Sequence, residues 1–173
     1  MKRFSFLAAS ALALASFEAS GQVAGPTDPQ IAAIVVTANQ VDIDAGKFAE
    51  SRSKNKEVKA FARQMVTDHS GVNKSATALV TRLKVTPEDN ATSASLKSGG
   101  DANIQHLKAL KGNAFDRAYI DNEVTYHQNV LDAIDHTLIP SAHNAELKAL
   151  LVKVRPAFEA HLAHAKQIQS GMR

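Results

Sequence analysis

Apolar residues recur at steps of three and four along four long segments of the chain, which is the spacing of one face of an α-helix. The pattern predicts helices over about residues 30–52, 56–84, 101–137 and 145–169. No strand alternation and no internal repeat accompanies them. Four amphipathic helices of this length predict an all-α protein, specifically a four-helix bundle.

The connections differ in length. Residues 51–55 and the segment between Pro140 and Asn144 are predicted as short turns, with Asn55 as the N-cap of the second helix. Residues 85–100, rich in Thr, Ser, Asn and Gly, are predicted to be the one long connection, between helices 2 and 3. That connection could cross the length of the bundle or close locally. Pro156, inside the fourth helix, predicts a kink there.

Each apolar stripe carries one lone polar residue, and these are Asp42, His69, His127 and His161. A buried polar group costs roughly 1–3 kcal/mol unless it finds a partner. The four groups therefore predict a shared polar centre in the middle of the bundle. Asp116, Tyr119 and Glu123 share the helix face of His127 and complete the predicted centre.

Counting residues from each turn estimates how these groups align. Counted from the first turn, the positions of Asp42 and His69 along the helix axis differ by five residues, or about 7–8 Å at 1.5 Å per residue. The second turn puts His161 level with the stretch from Tyr119 to Glu123. His161 is thus expected either to bond Tyr119 or Glu123, or to approach His127 if the helix bends at Pro156.

The ligand types limit the chemistry. Di-iron carboxylate bundles need Glu-x-x-His on two helices, but Val66 and Phe158 stand three residues before His69 and His161. A mononuclear zinc, copper or iron site remains chemically feasible. The favoured interpretation is a structural network without a cofactor that sets the helix register. The metal alternative has five candidate ligands: His69, His127, His161, Asp42 and Glu123.

No catalytic residue is predicted, because no nucleophile, base and orienting group can be read together. An enzyme of unrecognised class is the remaining alternative. His106, His136 and His143 are expected at the surface, near helix ends. His161 and His164 stand three residues apart and could share an ion, although a solvent-exposed His164 is the favoured reading. Asp68 and His69 are neighbours in sequence and face different ways on a helix, so they are not expected to form a catalytic pair.

The beginning of the chain predicts export. Lys2 and Arg3 precede an apolar stretch that ends in small residues, as in a signal peptide cleaved after residue 21. Residues 22–29 then form a flexible lead-in, and 30–170 form the bundle domain. Removing 1–21 changes the formal net charge from +3 to +2, which does not favour nucleic acid as a partner. No later segment is apolar enough to span a membrane.

Cysteine is absent from the sequence, so disulfides, thiolate metal ligands and thiol catalysis are excluded. Stability must come from packing. Imidazoles and carboxylates are left as the side chains able to hold a transition metal.

Several motifs resemble, in the same order, a bacterial family of domains of unknown function, number 4142. They are the runs at 42–49, 57–70 and 114–119, the pair His127-Gln128, and the run at 156–162. The resemblance covers about residues 30–168. It implies a ferritin-like bundle exported by a Gram-negative bacterium, periplasmic or associated with the outer membrane, and it implies no reaction. Asp42 stands where the family more often has Glu.

The leading hypothesis is an exported, non-enzymatic helical bundle with a structural polar core. A link to envelope stress tolerance, and with it a protein partner in the envelope, is implied only by the family resemblance. The second hypothesis is a periplasmic protein that binds one metal ion.

Overall fold

The computed structural model describes residues 25–172, and all regular structure in that range is helical. The all-α prediction is confirmed. The elements are α1 (Asp28–Arg52), α2 (Lys56–Leu83), α3 (Ala91–Lys108), α4 (Gly112–Ala133), a π-helical turn (Ile134–Leu138), the short α5 (Ile139–Ser141) and α6 (Ala145–Gly171).

Side-chain caps set where the helices begin. The Thr27 hydroxyl accepts from the backbone N–H of Gln30, whose side chain bonds back to the Thr27 backbone. Three asparagines, Asn55, Asn90 and Asn144, each accept from two backbone N–H groups of the helix that follows. These bonds satisfy donors that have no partner within the helix. The predicted cap at Asn55 is confirmed.

The prediction of one helix over residues 101–137 is wrong, because the end of α3 and the whole of α4 occupy this region. The predicted long connection at 85–100 is mostly α3, which continues to Lys108. Asn90 and Ser93 form a reciprocal capping box that starts α3, in a stretch whose Thr, Ser and Gly residues have weak helix propensity. The chain then breaks, and Gly112 begins α4 with φ +56°, in the left-handed region that favours glycine. Residues 25–172 therefore contain five long helices rather than four.

The long helices form two antiparallel pairs, α1 with α2 and α4 with α6, and α3 lies against α1. A tight turn joins α1 to α2, whereas the π-helical turn, α5 and a short turn join α4 to α6. In α3 only Ser93 and Leu107 are buried. The first apolar cluster packs near the start of α1 and α6, around Ile31, Leu79, Ile134, Leu151 and Phe158. The second packs near the turn between α1 and α2, around Ala49, Phe61, Phe115, Tyr119 and Ile168. The layer between them holds the polar side chains described below.

Within residues 25–172, no helix has the length and apolar character needed to cross a membrane. The predicted signal peptide, 1–21, and residues 22–24 of the lead-in lie outside the described residues.

Gly100 allows α3 to approach α1 closely. A Cβ built at Gly100 would lie 2.7 and 2.9 Å from the two methyls of Val41, whereas one at Gly99 would meet nothing within 4 Å. Rotating Val41 would only exchange one methyl for the other. We expect Gly100→Ala to lower the free energy of unfolding by roughly 1–3 kcal/mol through overpacking.

The matched control is Gly99→Ala, which should raise stability by roughly 0.5–1 kcal/mol through helix propensity alone. Urea denaturation of both variants measures the difference. Equal effects at the two positions would mean that α3 does not pack on α1 as described.

Candidate metal centre

Five ionisable side chains meet in the layer between the two apolar clusters, and each is at most 3% exposed. Asp42 comes from α1, His69 from α2, Glu123 and His127 from α4, and His161 from α6. Each sits on a helical stripe that is otherwise apolar, so packing of the stripes carries the polar groups inside. Four helices thus contribute to one buried cluster.

Asp42 is the anion of the cluster. Its Oδ2 lies 2.7 Å from His69 Nε2 and 3.5 Å from His127 Nε2. The short contact with His69 lacks hydrogen-bond geometry, and both Asp42 oxygens are without a hydrogen-bond partner. The ring nitrogen of His69 is therefore close to the carboxylate but directed elsewhere.

The three imidazoles form a nearly equilateral triangle. Ring centroids are 5.3 Å apart for His69 and His161, 5.4 Å for His127 and His161, and 5.5 Å for His69 and His127. One nitrogen of each ring lies within 4.8 Å of one nitrogen of each of the other two. The phenyl ring of Phe158 packs against all three, 4.9 Å from His69 and about 6 Å from the others.

In each ring, the nitrogen that faces away from the other two imidazoles, here called the outer nitrogen, contacts a hydrogen-bond acceptor. His69 Nδ1 is 2.8 Å from Asn39 Oδ1, and the Asn39 amide is oriented by donating to the Val35 carbonyl. His127 Nδ1 is 3.0 Å from the backbone carbonyl of Glu123. His161 Nε2 is 2.9 Å from Asp68 Oδ2.

Because a carbonyl and a carboxylate can only accept, the outer nitrogen of each ring must carry its proton. In a neutral ring, the other nitrogen, which faces the centre of the cluster, then carries a lone pair and no proton. His69 Nε2, His127 Nε2 and His161 Nδ1 have no hydrogen-bond partner. In metal sites, histidine ligands usually donate their second N–H to an acceptor of this kind. That bond fixes which nitrogen is protonated and orients the other nitrogen toward the metal.

The inner side of the cluster consists of three imidazole nitrogens, the Asp42 carboxylate and the carboxyl of Glu123, whose neutral form can donate one proton to Asp42. Three imidazole nitrogens and the Asp42 carboxylate repel one another unless a positive charge, a proton or a metal ion, stands among them. Imidazole with carboxylate is a ligand set for zinc, copper or iron. The arrangement can therefore hold one such ion.

Burial raises the pKa of Asp42, but the charge and hydrogen bond of His69, and next the charge of His127 and a hydrogen bond from Glu123, bring it below its ordinary value. These neighbours favour the carboxylate form of Asp42. Burial lowers the pKa of His127 to about 4 and also lowers that of His161. Both effects favour neutral imidazoles, the form that ligates a metal.

Glu123 behaves differently from Asp42. Burial, and next the charge of Asp42, raise its pKa well above the ordinary value, which favours the neutral acid. Its Oε2 is 3.5 Å from His127 Nδ1. Burial and the neighbouring Glu123 also raise the pKa of Tyr119, which stays a phenol. Asp42 is thus the one carboxylate of the cluster that favours its charged form.

A groove of about 490 Å³ between α2 and α6 leads to the cluster, and Asp68, His69, Lys153 and His161 are among its lining residues. The Asp68 side chain is 40% exposed, whereas that of His161 is 3% exposed. The Asp68–His161 pair therefore stands between solvent and the buried centre.

Of the seven side chains predicted for the polar centre, the structure brings five together. Tyr119 lies beside Glu123 in the adjoining apolar cluster, and its ring packs against Phe61. Asp116 does not join the centre. It is buried at the far end of α4, beside a pocket lined by Arg52 to Asn55 and Lys111 to Asn113.

One expectation, that His161 bonds Tyr119 or Glu123, is wrong. His161 meets His127, the other expected arrangement, and takes Asp68 as its outer acceptor. His164 lies outside the centre, partly buried against Phe61 and 3.3 Å from Gln64 Oε1. The expectation of exposure at the surface is confirmed for three other histidines: His106, His136 and His143.

Sequence reasoning missed Asn39 and Asp68. Asn39 was detectable as a second polar residue on the buried face of α1, three positions before Asp42. Asp68 carried no such signal, because it faces away from His69 on its own helix and reaches a ring on α6 instead. The cross-helix neighbour, rather than sequence spacing, determines its role.

The predicted offset of five residues between Asp42 and His69 is overcome in two ways. The α1–α2 turn is centred on Lys54 rather than Ser53, which shortens the offset. Helical side chains also lean toward the N-terminus of their own helix, so in an antiparallel pair Asp42 and His69 lean toward each other. The result is the contact of 2.7 Å.

Fold and site together define an all-helical protein with a buried cluster of three histidines and an aspartate. A family model described as Domain of unknown function (DUF4142) matches residues 13–168. The chain belongs to this family, as the resemblance in its motifs predicted. Neither a curated protein nor a solved structure matches it.

The outer acceptors predict which nitrogen of each ring is protonated. Long-range ¹H–¹⁵N NMR should find the outer proton on Nδ1 in His69 and His127 but on Nε2 in His161. His127 should stay neutral down to about pH 4, because burial lowers its pKa to about 4. A proton on Nδ1 of neutral His161 would contradict the described geometry, since that nitrogen would no longer be a ligand.

Proposed function

We propose that this protein is an exported metal-binding protein that holds one divalent transition-metal ion through His69, His127, His161 and Asp42. One observation carries the proposal: three buried imidazoles lie together, each with one nitrogen that has no hydrogen-bond partner, and each ring is held from behind by an acceptor. Two of those nitrogens, on His69 and His127, lie beside the Asp42 carboxylate. This donor set suits zinc first, and copper or iron next.

The spacing of the donors supports the assignment. The three imidazole nitrogens lie within 4.8 Å of one another. Around a tetrahedral ion with bonds of about 2.0 Å, ligand atoms are about 3.3 Å apart. Small shifts of the three imidazoles toward their common centre would bring them to this spacing without rearranging a helix. Asp42 lies 2.7 Å from His69 and 3.5 Å from His127 and would join as the fourth ligand from that side. One carboxylate that favours its charged form would offset part of the ion's charge.

The proposed role is binding rather than catalysis. Four protein ligands fill the coordination of a tetrahedral ion, whereas catalytic zinc sites keep a position for water or substrate. The ligands are at most 3% exposed, and Phe158 covers one side of the imidazole triangle. Storage, buffering or a structural metal are the roles that fit such a closed site.

The unit that carries this function is proposed to be a ferritin-like four-helix bundle of α1, α2, α4 and α6, with α3 as an addition on its outside. All four ligands and all three outer acceptors come from these four helices. The signal peptide predicted at residues 1–21 supports export to the periplasm, where the protein would meet metal ions entering the cell. Attachment to the outer membrane, a partner in the envelope and a part in envelope stress tolerance have only the family resemblance behind them.

A second candidate role is the structural network without a metal. The 2.7 Å contact between Asp42 and His69 favours it, since a proton placed there would join the two as an ion pair. Elemental analysis decides between the two roles.

We expect protein purified from the periplasm, without chelator or affinity tag, to contain about one metal ion per chain. His161→Ala should lose it, because three donors remain and the groove side of the site opens. His164→Ala is the matched control, three residues along the same helix and outside the cluster, and should keep the metal. Inductively coupled plasma mass spectrometry measures both, and circular dichroism checks folding.

Adding zinc to the metal-free protein should also raise its melting temperature by mass action, in the wild type and in His164→Ala but not in His161→Ala. A well-folded protein that neither retains a metal nor responds to zinc, copper or iron would refute the proposal and favour the structural network.

Asp68 is a positioning residue for His161, so Asp68→Ala should weaken metal affinity by about 10–100-fold. Asp68→Asn keeps an oxygen that can accept from Nε2 and should recover part of the loss. Asp132→Ala, an exposed aspartate on α4, is the control. Competition titration against a chelating dye measures the affinities, and an unchanged value for Asp68→Ala would show that Asp68 does not orient His161.

A further inference from the structure

A second internal space lies beside the histidine cluster, inside the first apolar cluster. It is a cavity of about 150 Å³ between α1, α3, α4 and α6, closed at one end by the π-helical turn. Phe158 and Asn39 form the wall shared with the candidate metal centre. The lining residues are mostly aliphatic, and they include Val35, Ala133, Ile134, Leu138, Leu151 and Val154.

No charged side chain is among the described residues that line this cavity. Its mouth opens toward a groove of about 490 Å³ between α3 and α4, and four residues line both spaces: Thr92, Leu96, Tyr126 and Asn129. Along the described lining of the groove, all polar side chains are uncharged: Asn, Ser, Thr and Tyr. The path from solvent to the cavity is therefore polar at its outer part, apolar at its inner part and neutral throughout.

The π-helical turn shapes the closed end. Ile139 N–H donates to the Ile134 carbonyl five residues earlier, and Pro140 follows, which cannot donate to the preceding turn. The wider turn directs Ile134 and Leu138 into the cavity wall. Single π-turns inside helices occur frequently at functional sites, because they reposition side chains at a cost in helix stability.

Volume and lining together select the occupant. A space of about 150 Å³ accepts a molecule of the size of benzene, and its apolar walls favour such an occupant over the water that can enter from the mouth. A charged group would be buried without a partner, whereas a neutral hydroxyl at the mouth could bond Asn129 or the Tyr126 hydroxyl. The Tyr126 hydroxyl donates to the Ala38 carbonyl and keeps lone pairs to accept another proton.

We propose that this cavity binds a neutral single-ring aromatic molecule of the phenol class, with the ring against Ile134, Leu138 and Phe158 and the hydroxyl at the mouth. The site is distinct from the candidate metal centre and does not require a metal.

The test is an NMR titration of the chelator-treated protein with phenol, with benzoate and benzylammonium as charged probes of the same ring. Phenol should shift the methyl signals of Val35, Leu138 and Leu151 saturably, with a Kd of about 0.1–1 mM for a ligand of this size. The two charged probes should leave these signals unchanged at the same concentrations.

Ala133→Leu should fill the cavity and abolish the phenol-induced shifts. Ala114→Leu makes the same change at an exposed position of α4 and should keep them. If Ala133→Leu fails to fold, Leu96→Phe narrows the mouth from α3 and should weaken binding at least tenfold. Phenol shifts that stay in the filled variant, spread over the surface or are equalled by benzoate would overturn the proposal, as would their absence from the wild type.

Discussion

The rest of the structure depends on the burial of the Asp42 carboxylate against the imidazoles of His69 and His127, with His161 beside them. A buried carboxylate is unfavourable unless positive charge or hydrogen-bond donors surround it. Here both Asp42 oxygens lack a hydrogen-bond partner, and the nearest groups are ring nitrogens whose protons lie on their outer sides. What stabilises Asp42 must therefore come from within the cluster, either a proton such as that of the neutral Glu123 acid or the proposed metal ion. This requirement links α1, α2, α4 and α6 through one point.

The surrounding fold makes this arrangement rigid. Apolar clusters pack on both sides of the polar layer, and each imidazole is anchored by an acceptor from a neighbouring residue or helix. The anchors differ in kind: an amide for His69, a backbone carbonyl for His127 and a carboxylate for His161. Because these bonds leave each ring little freedom to turn, the remaining ring nitrogens are held in fixed positions.

Two spaces adjoin the centre and differ in chemistry. The α2–α6 groove reaches it through Asp68 and carries charged residues, which suits the passage of an ion. The apolar cavity lies behind Phe158 and Asn39, with neutral described walls. Because Asn39 also orients His69, and Phe158 packs on all three rings, a ligand in the cavity would press on residues that support the metal ligands. The two proposed sites are separate but mechanically adjacent.

The sequence by itself determined the bounds of α1, α2 and α6 to within two residues, because apolar periodicity, capping asparagines and the tight turns all agree there. It also identified the polar residues on apolar stripes, since burial follows from the stripe alone. It did not determine α3, whose small residues read as a connection and become helical through a capping box and packing on α1.

Only the tertiary structure decided how the polar groups pair. Periodicity tells which face of a helix a residue occupies, but not how far two helices are displaced along their axes or which way a side chain leans. The axial displacement of the helices and the direction of the side chains bring Asp42 into contact with His69 and His161 into contact with Asp68. They also separate Asp116 from the cluster. They come from the packing of whole helices, which no local spacing records.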